Sequence, residues 1–185
     1  SQDTLLDRYR ELLANRCFRA WPTSNSANAD QSETSPASHT STVALQPSNG
    51  EKVAIIEFQS EPHVSLQLRI HHPAEANLDE LESVRLSVLA AQRPVEIDAA
   101  VQENQAQLIV RPNAWQGNSR KQTHIKRRYQ LLGMTLEGMQ VWDIRRGLQV
   151  LRKICPKLKE LRMVAEPGME TQVMLASLFE PPVRE

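Results

Sequence analysis

The segment 135–179 combines a helix, a strand, a tight turn and a second helix with very short connections. Residues 135–155 repeat apolar side chains at the spacing of one helix face, and Pro156 ends the pattern. The apolar run 160–165 predicts a strand, and Pro167 and Gly168 predict a turn before a helix at 169–179. Because a helix that connects two strands this closely carries the chain across the sheet, the order predicts parallel strands.

The helix predicted at 135–155 is the most strongly patterned element of the chain. Thr135 is expected to be its N-cap, because a threonine hydroxyl can accept a hydrogen bond from a free N–H of the first turn. Its apolar stripe consists of Val141, Ile144, Leu148, Leu151 and Cys155. Asp143 and Arg146 are spaced as an i,i+3 ion pair that could brace the same helix.

The residues before this helix carry mostly strand signals. The runs 53–58 and 64–70 predict two antiparallel strands, and 107–112 predicts a strand closed by proline. Residues 83–90 alternate apolar and polar side chains and predict a strand, with a helix at 78–92 as the alternative. A helix is expected at 119–133, ended by Gly133. The fold class that follows is α/β, a mixed sheet flanked by helices, with 107–111 and 160–165 as neighbouring parallel strands.

The first 50 residues differ from the rest in composition. Residues 4–21 have helical periodicity, and the stripe of Leu5, Leu12 and Leu13 is expected to dock on the domain or on a partner. Residues 22–50 are rich in small and polar residues, which predicts a flexible linker. The expected organisation is a helix at 1–21, a linker at 22–50 and a domain at 51–185. We expect a piece of a longer protein, whose remainder would be a partner of this domain.

Charge and hydropathy favour no nucleic-acid or membrane partner. The 22 Lys and Arg residues balance 22 Asp and Glu residues, so no net charge draws the chain to anionic surfaces. The basic run 120–128 is a feature of nucleic-acid-binding proteins, but a solvated helix face is the simpler interpretation in a chain with 4% aromatic residues. No apolar run approaches the about 20 residues that span a bilayer.

Residues 124–154, HIKRRYQLLGMTLEGMQVWDIRRGLQVLRKI, resemble a segment of α/β-hydrolase proteins similar to acetyl xylan esterases. The resemblance extends more loosely over 107–181. It implies a partial α/β-hydrolase-like mixed sheet and a carbohydrate ester as ligand. It also implies that the turn after the strand 160–165 corresponds to the nucleophile elbow of that fold, G-x-S-x-G.

The elbow-like turn consists of Ala165, Glu166, Pro167, Gly168 and Met169. Pro167 stands at the serine position and has no nucleophilic atom, so no catalytic residue is predicted. No histidine follows His124 in the sequence, although the base of such a triad comes after the elbow. The resemblance therefore implies a degenerate active site in a fragment or subdomain of an esterase-like protein. The alternative is a non-catalytic binding or scaffolding module of a larger protein.

Two further groups of residues are candidates for binding. Glu166 could bind an ester group, but a carboxylate beside such a turn is also expected in solvent or at the start of the next helix. The N–H groups of Gly168 and Met169 could bind an anion or a carbonyl. The loop after the strand 107–112 could line a substrate cleft or anchor the chain, and its candidates are Asn113, Trp115, Gln116 and Gly117.

The remaining candidate ligands do not cluster. Cys17 and Cys155 lie on apolar helix faces and are expected in the core rather than in a disulfide. His71 and His72 are adjacent in a predicted strand and so point to opposite faces, which is poor geometry for one metal ion. No metal site and no cofactor are predicted, and the cysteine usage specifies no compartment. Met169 and Met174 are expected in the core.

Overall fold

The computed structural model describes residues 2–19, 21, 43–45, 51–61, 63–90, 104–111 and 119–180. Four α-helices lie in these ranges: α1 (Gln2–Arg16), α2 (Ser119–Leu131), α3 (Leu136–Ile154) and α4 (Glu170–Phe179). Six strands accompany them: β1 (Val43–Leu45), β2 (Glu51–Glu61), β3 (Val64–Pro73), β4 (Ser83–Leu89), β5 (Gln105–Ile109) and β6 (Glu160–Ala165). A 3-10 turn covers Leu78–Glu80.

The strands form one mixed sheet in the order β1-β2-β3-β5-β4-β6. Strands β1, β2, β3 and β5 pair antiparallel in turn, whereas β4 is parallel to both β5 and β6. The predicted α/β fold with a mixed sheet is therefore confirmed, as are the antiparallel pair β2 and β3 and the strand at β4. The prediction that 107–111 and 160–165 are neighbours is wrong, because β4 lies between β5 and β6.

Helix α3 packs against the middle of the sheet by its predicted stripe. Val141, Ile144, Leu148 and Leu151 are all buried, and the helix ends at Cys155 with a buried thiol. Gly147 is the point of closest approach, since a Cβ atom there would lie 2.5 Å from Cδ2 of Leu108 in β5. The Thr135 hydroxyl accepts the N–H of Gly138 at 2.9 Å, which confirms the predicted N-cap.

The N-terminal helix is shorter than expected and docks differently. Helix α1 ends at Arg16, and of the predicted stripe only Leu13 packs against the core, whereas Leu5 and Leu12 are exposed. Cys17 lies in the turn after the helix and is exposed, so the core assignment is wrong for Cys17 and confirmed for Cys155. The periodicity located a helix but could not tell which side of it meets the domain.

A cluster of aromatic rings attaches the turn after α1 to the ends of α3 and α4. Phe18 stacks on Trp21 with ring centroids 4.2 Å apart, and both meet Phe179 edge-on. The guanidinium of Arg145 lies 4.9 Å from the Trp21 ring centroid and donates to the carboxylate of Glu180 at 3.1 Å. These contacts order a segment that sequence reasoning placed at the end of a helix.

The segment 22–50, expected to be a linker, contains one described element. Val43–Leu45 forms the short strand β1, which pairs with β2 through Val43 and Ile55, Ala44 and Ala54, and Leu45 and Val53. A strand of this length gives almost no local sequence signal, because its stability comes from pairing with a distant strand. The rest of the predicted linker lies outside the described residues.

Candidate functional site

The five residues of the elbow-like turn join β6 to α4 at the carboxyl end of the parallel strands. Ala165 ends β6, Met169 is fully buried before α4, and Pro167 and Gly168 are exposed between them. The N–H of Glu166 donates to the carbonyl of Val88 at 3.0 Å, so the pairing of β6 with β4 continues into the turn. The turn therefore lies against the end of β4, where ligands of open α/β sheets bind.

Proline and glycine determine the conformation of this turn. The N–H of Met169 donates to the carbonyl of Glu166 at 2.9 Å, which closes a four-residue turn. Gly168 has φ of 90°, and proline followed by a glycine of positive φ is the residue pair of a type II turn. Because proline holds its own φ near −65°, Pro167 cannot adopt the strained backbone of an elbow nucleophile.

Three backbone donors of this turn, and one at the end of β4, already have acceptors within the chain. The N–H of Ala90, at the end of β4, donates to Oε2 of Glu166 at 2.7 Å. The N–H of Gly168 donates to Oε2 of Glu170 at 2.9 Å, and the N–H of Met169 is used by the turn itself. In an α/β-hydrolase, the oxyanion is bound by the N–H after the nucleophile and by one from the loop after a neighbouring strand. In this chain the N–H groups of Gly168 and Ala90 both donate to carboxylates.

The expected surroundings of Glu166 are corrected by its contact with Ala90, whereas the binding role of the turn residues stays a prediction. Glu166 is half-buried, and its carboxylate bridges to β4 rather than facing solvent or capping α4. Glu170, an acidic residue in the first turn of α4, accepts the N–H of Gly168. Of the two methionines expected in the core, Met169 is buried and Met174 is 60% exposed.

A buried charge cluster lies at the end of β5, and sequence reasoning missed it. Arg111 donates from Nε and Nη2 to the two carboxylate oxygens of Asp143 at 2.7 and 2.8 Å, and it also contacts Glu61. The backbone N–H of Arg111 adds a third bond to Asp143 at 3.1 Å, and the amide of Gln140 donates to the Arg111 carbonyl at 3.1 Å.

The cluster replaces the ion pair predicted inside α3. Asp143 is fully buried and binds Arg111 of another element, so Arg146 was the wrong choice of partner. Burial alone would lower the pKa of Arg111, but the bonds and charge of Asp143, followed by those of Glu61, outweigh it and raise that pKa above its ordinary value. Asp143 directly precedes Ile144 of the buried stripe. This position in the sequence was the feature from which a buried carboxylate could have been predicted.

In sequence, Arg111 of this charge cluster comes just before the predicted cleft residues. Arg111 is the last described residue of β5 and its extension, and Asn113, Trp115, Gln116 and Gly117 lie outside the described residues. Their assignment as cleft residues therefore stays a prediction.

The described parts of the chain contain neither a metal cluster nor a membrane-spanning helix. No group of three or more His, Cys, Asp or Glu residues within them could hold a metal ion. None of the helices there is both long and apolar enough to cross a bilayer. In the basic run, the described side chains of Thr123, His124, Arg127 and Arg128 are exposed on α2.

Comparisons with known proteins found similarity to solved structures and no match to a family model or a curated protein. No protein family model and no curated protein matches this chain. Its structure is similar to the crystal structure of a putative acetyl xylan esterase from Bacteroides fragilis, with a TM-score of 0.61 and 12% sequence identity. The similarity covers 96% of this chain and 50% of that one, so this chain spans half the length of the structure it matches. At this level of identity the likeness concerns the fold alone, and the fold of this chain is an esterase-like α/β fold.

Proposed function

We propose that this chain is part of an esterase-like α/β domain that binds without hydrolysing. The observation that carries the proposal is the hydrogen bond from the Ala90 N–H to the Glu166 carboxylate at 2.7 Å. A developing oxyanion would need that donor, and the negative charge of Glu166 opposes a second negative charge beside it. The site therefore lacks the stabilisation on which acyl transfer depends.

The absence of a nucleophile at the turn supports the same conclusion. Pro167 occupies the position of the serine, and its side chain carries no oxygen or sulfur to attack an ester. The elbow-like turn then serves as a structural connection that ties β6, β4 and α4 together through Glu166 and Glu170.

The sheet edge supports the view that this domain belongs to a longer esterase-like protein. Strand β6 is the last in the sheet order, and its outer side has no partner strand among the described residues. Val164 on that strand is 37% exposed, and unpaired edge strands are generally covered or blocked in folded proteins. We propose that the remainder of a longer chain pairs with β6, in agreement with the 50% coverage of the structural neighbour. A carbohydrate ester is the ligand that the neighbour's name, acetyl xylan esterase, suggests.

The second candidate function is a binding or scaffolding module unrelated to carbohydrate esters. It is favoured by the exposed apolar side chains of Leu5, Tyr9 and Leu12 on α1, which offer a contact surface for another protein. The two candidates differ in their ligand. Binding of acetylated xylan, measured by affinity electrophoresis against deacetylated xylan, would favour the esterase-like candidate.

The experiment for the absence of hydrolysis measures turnover and active-site labelling together. We expect no turnover of p-nitrophenyl acetate or acetylated xylan and no labelling by a fluorophosphonate probe. We expect the Pro167→Ser variant to remain unlabelled, because the new hydroxyl has no base and the neighbouring donors are occupied. Stoichiometric labelling of a serine in the unaltered chain, with turnover lost on its change to alanine, would overturn the proposal.

A further inference from the structure

A cavity of about 720 Å³ lies between α1, the turn from α2 to α3, and α4. Its apolar walls are formed by Leu13, Phe18, Met134, Val141 and Leu175. The volume falls within the about 300–1,000 Å³ that is usual for small-molecule sites, and such sites combine an apolar lining with a few polar groups. Gly168 is the one residue that the cavity shares with the elbow-like turn.

Two arginines give one side of the cavity a positive charge. Arg16 and Arg19 both line it and are exposed, and neither pairs with a carboxylate among the described residues. Glu137 is the one acidic residue in the lining. The Arg19 guanidinium packs over Gly133, where a Cβ atom would lie 3.5 Å from both Nε and Nη2.

The buried polar side chain of the cavity lining, Gln172, already has a hydrogen-bond partner within the chain. Gln172 is buried and donates from Nε2 to Oε1 of Gln140 at 3.1 Å, and Gln140 donates in turn to the Arg111 carbonyl. The guanidinium groups of Arg16 and Arg19 are therefore the strongest hydrogen-bond donors that the cavity offers to a ligand. The rest of the lining is mainly apolar. Such a division fits a molecule with one anionic end and an apolar chain.

We propose that this cavity binds an amphipathic monocarboxylate, that is, a medium-chain fatty acid. The carboxylate lies between Arg16 and Arg19, and the acyl chain lies along Leu13, Met134 and Leu175. Arginine suits this role because its planar guanidinium donates two parallel hydrogen bonds to a carboxylate. The proposal goes beyond the proposed function, since it concerns a different site and requires no reaction.

The chain offers a built-in reporter for this site. Cys17 lines the cavity and is exposed, whereas Cys155 is buried. Alkylation by iodoacetamide, followed by mass spectrometry of the peptides, therefore reads out access to the cavity separately from the core. We expect decanoate, below its micelle-forming concentration, to slow alkylation of Cys17 at least tenfold at saturation and to leave Cys155 unreactive throughout.

Calorimetric titration of the whole chain with three probes tests the assignment of the charged end. Decanoate should bind at least tenfold more tightly than decanol or decyltrimethylammonium, because only decanoate pairs with the arginines. The double variant Arg16→Gln/Arg19→Gln should weaken decanoate binding about 10–100-fold, as expected for charge-assisted hydrogen bonds, and leave decanol binding unchanged. Arg8→Gln, an exposed arginine earlier on α1 and outside the cavity lining, is the matched control and should bind decanoate as the unaltered chain does.

Any one of the following results would overturn the proposal. One is the absence of saturable decanoate binding in a chain whose circular dichroism shows it to be folded. Another is binding that leaves the alkylation rate of Cys17 unchanged, which would place the ligand elsewhere. The last is equal affinity for decanoate and decanol, or for the double arginine variant and the unaltered chain. Because none of these measurements involves ester hydrolysis, the outcome is independent of the test of the proposed function.

Discussion

Replacement of Asp143 by alanine tests the buried charge cluster that joins α3 to the end of β5. Asp143 is fully buried and accepts three hydrogen bonds from Arg111, two from the guanidinium and one from the backbone N–H. The substitution removes all three acceptors at once. Arg111 then keeps its charge in a largely buried position, with Glu61 as its remaining anionic partner.

The expected loss follows from the exposure of the partners. Removal of one member of a buried ion pair costs about 3–5 kcal/mol, mainly because the other charge is left uncompensated. The side chain of Arg111 is 12% exposed and retains Glu61, which places the expected loss at the lower end, about 3 kcal/mol. Removal of both charges in Arg111→Met/Asp143→Leu should cost clearly less, because the only charge left without its partner is then the carboxylate of Glu61, which is 17% exposed.

Urea denaturation followed by circular dichroism measures these free energies of unfolding. Glu160→Gln is the control, since it breaks an exposed pair with Arg162 and should change the free energy of unfolding by less than about 1 kcal/mol. A loss below about 1 kcal/mol for Asp143→Ala would refute the reasoning. So would a loss for Arg111→Met/Asp143→Leu that equals the sum of the losses for Arg111→Met and Asp143→Leu, since the two residues would then act independently.

Two further predictions concern the core. Gly147→Ala should destabilise the chain by about 1–3 kcal/mol through overpacking, because the added Cβ atom would lie 2.5 and 2.8 Å from the two methyl carbons of Leu108. Recovery of stability in Gly147→Ala/Leu108→Val would support that cause, and an unchanged thermal midpoint for Gly147→Ala would contradict it. For Cys155, burial and then the charge of Asp79 raise the pKa of the thiol to about 11 from an ordinary value of 9.0. The folded chain therefore keeps a proton that the unfolded chain loses, and stability should fall by about 1–2 kcal/mol as the pH rises from about 9 to about 11. Denaturation curves across this range should show a smaller fall for Cys155→Ala, and an equal fall in both proteins would exclude the thiol as the cause.

Local sequence patterns were sufficient to predict most elements of the fold. The stripe of α3, its Thr135 cap and the glycine that ends α2 are all determined by residues a few positions apart. The position of each strand in the sheet was not predictable in the same way. The insertion of β4 between β5 and β6 depends on which edges meet in three dimensions, and periodicity carries no information about lateral order.

In the candidate site, too, features set by neighbouring residues were predictable, whereas contacts between residues far apart in the sequence were not. The absence of serine and cysteine from the turn 165–169 could be read directly from the sequence, and it excluded a serine or cysteine nucleophile in that turn without a structure. The contact of Glu166 with Ala90 could not be predicted from the sequence, because the two residues are 76 positions apart and neither belongs to a recognisable pair. The contact of Asp143 with Arg111 was missed for the same reason, since an i,i+3 spacing made Arg146 the more obvious partner.

Amide hydrogen exchange at Ala90 tests the central claim most directly, because that N–H is the donor that Glu166 withholds from a ligand. We predict slow exchange in the unaltered chain and exchange about 10–100-fold faster in Glu166→Ala, as expected for loss of a hydrogen bond to a charged acceptor. Glu170→Ala is the matched control and should accelerate Gly168 while leaving Ala90 unchanged. The amide of Val110, bonded to the Leu89 carbonyl, serves as the internal reference for global unfolding. Exchange of Ala90 at the same rate in the unaltered chain and in Glu166→Ala would contradict the account.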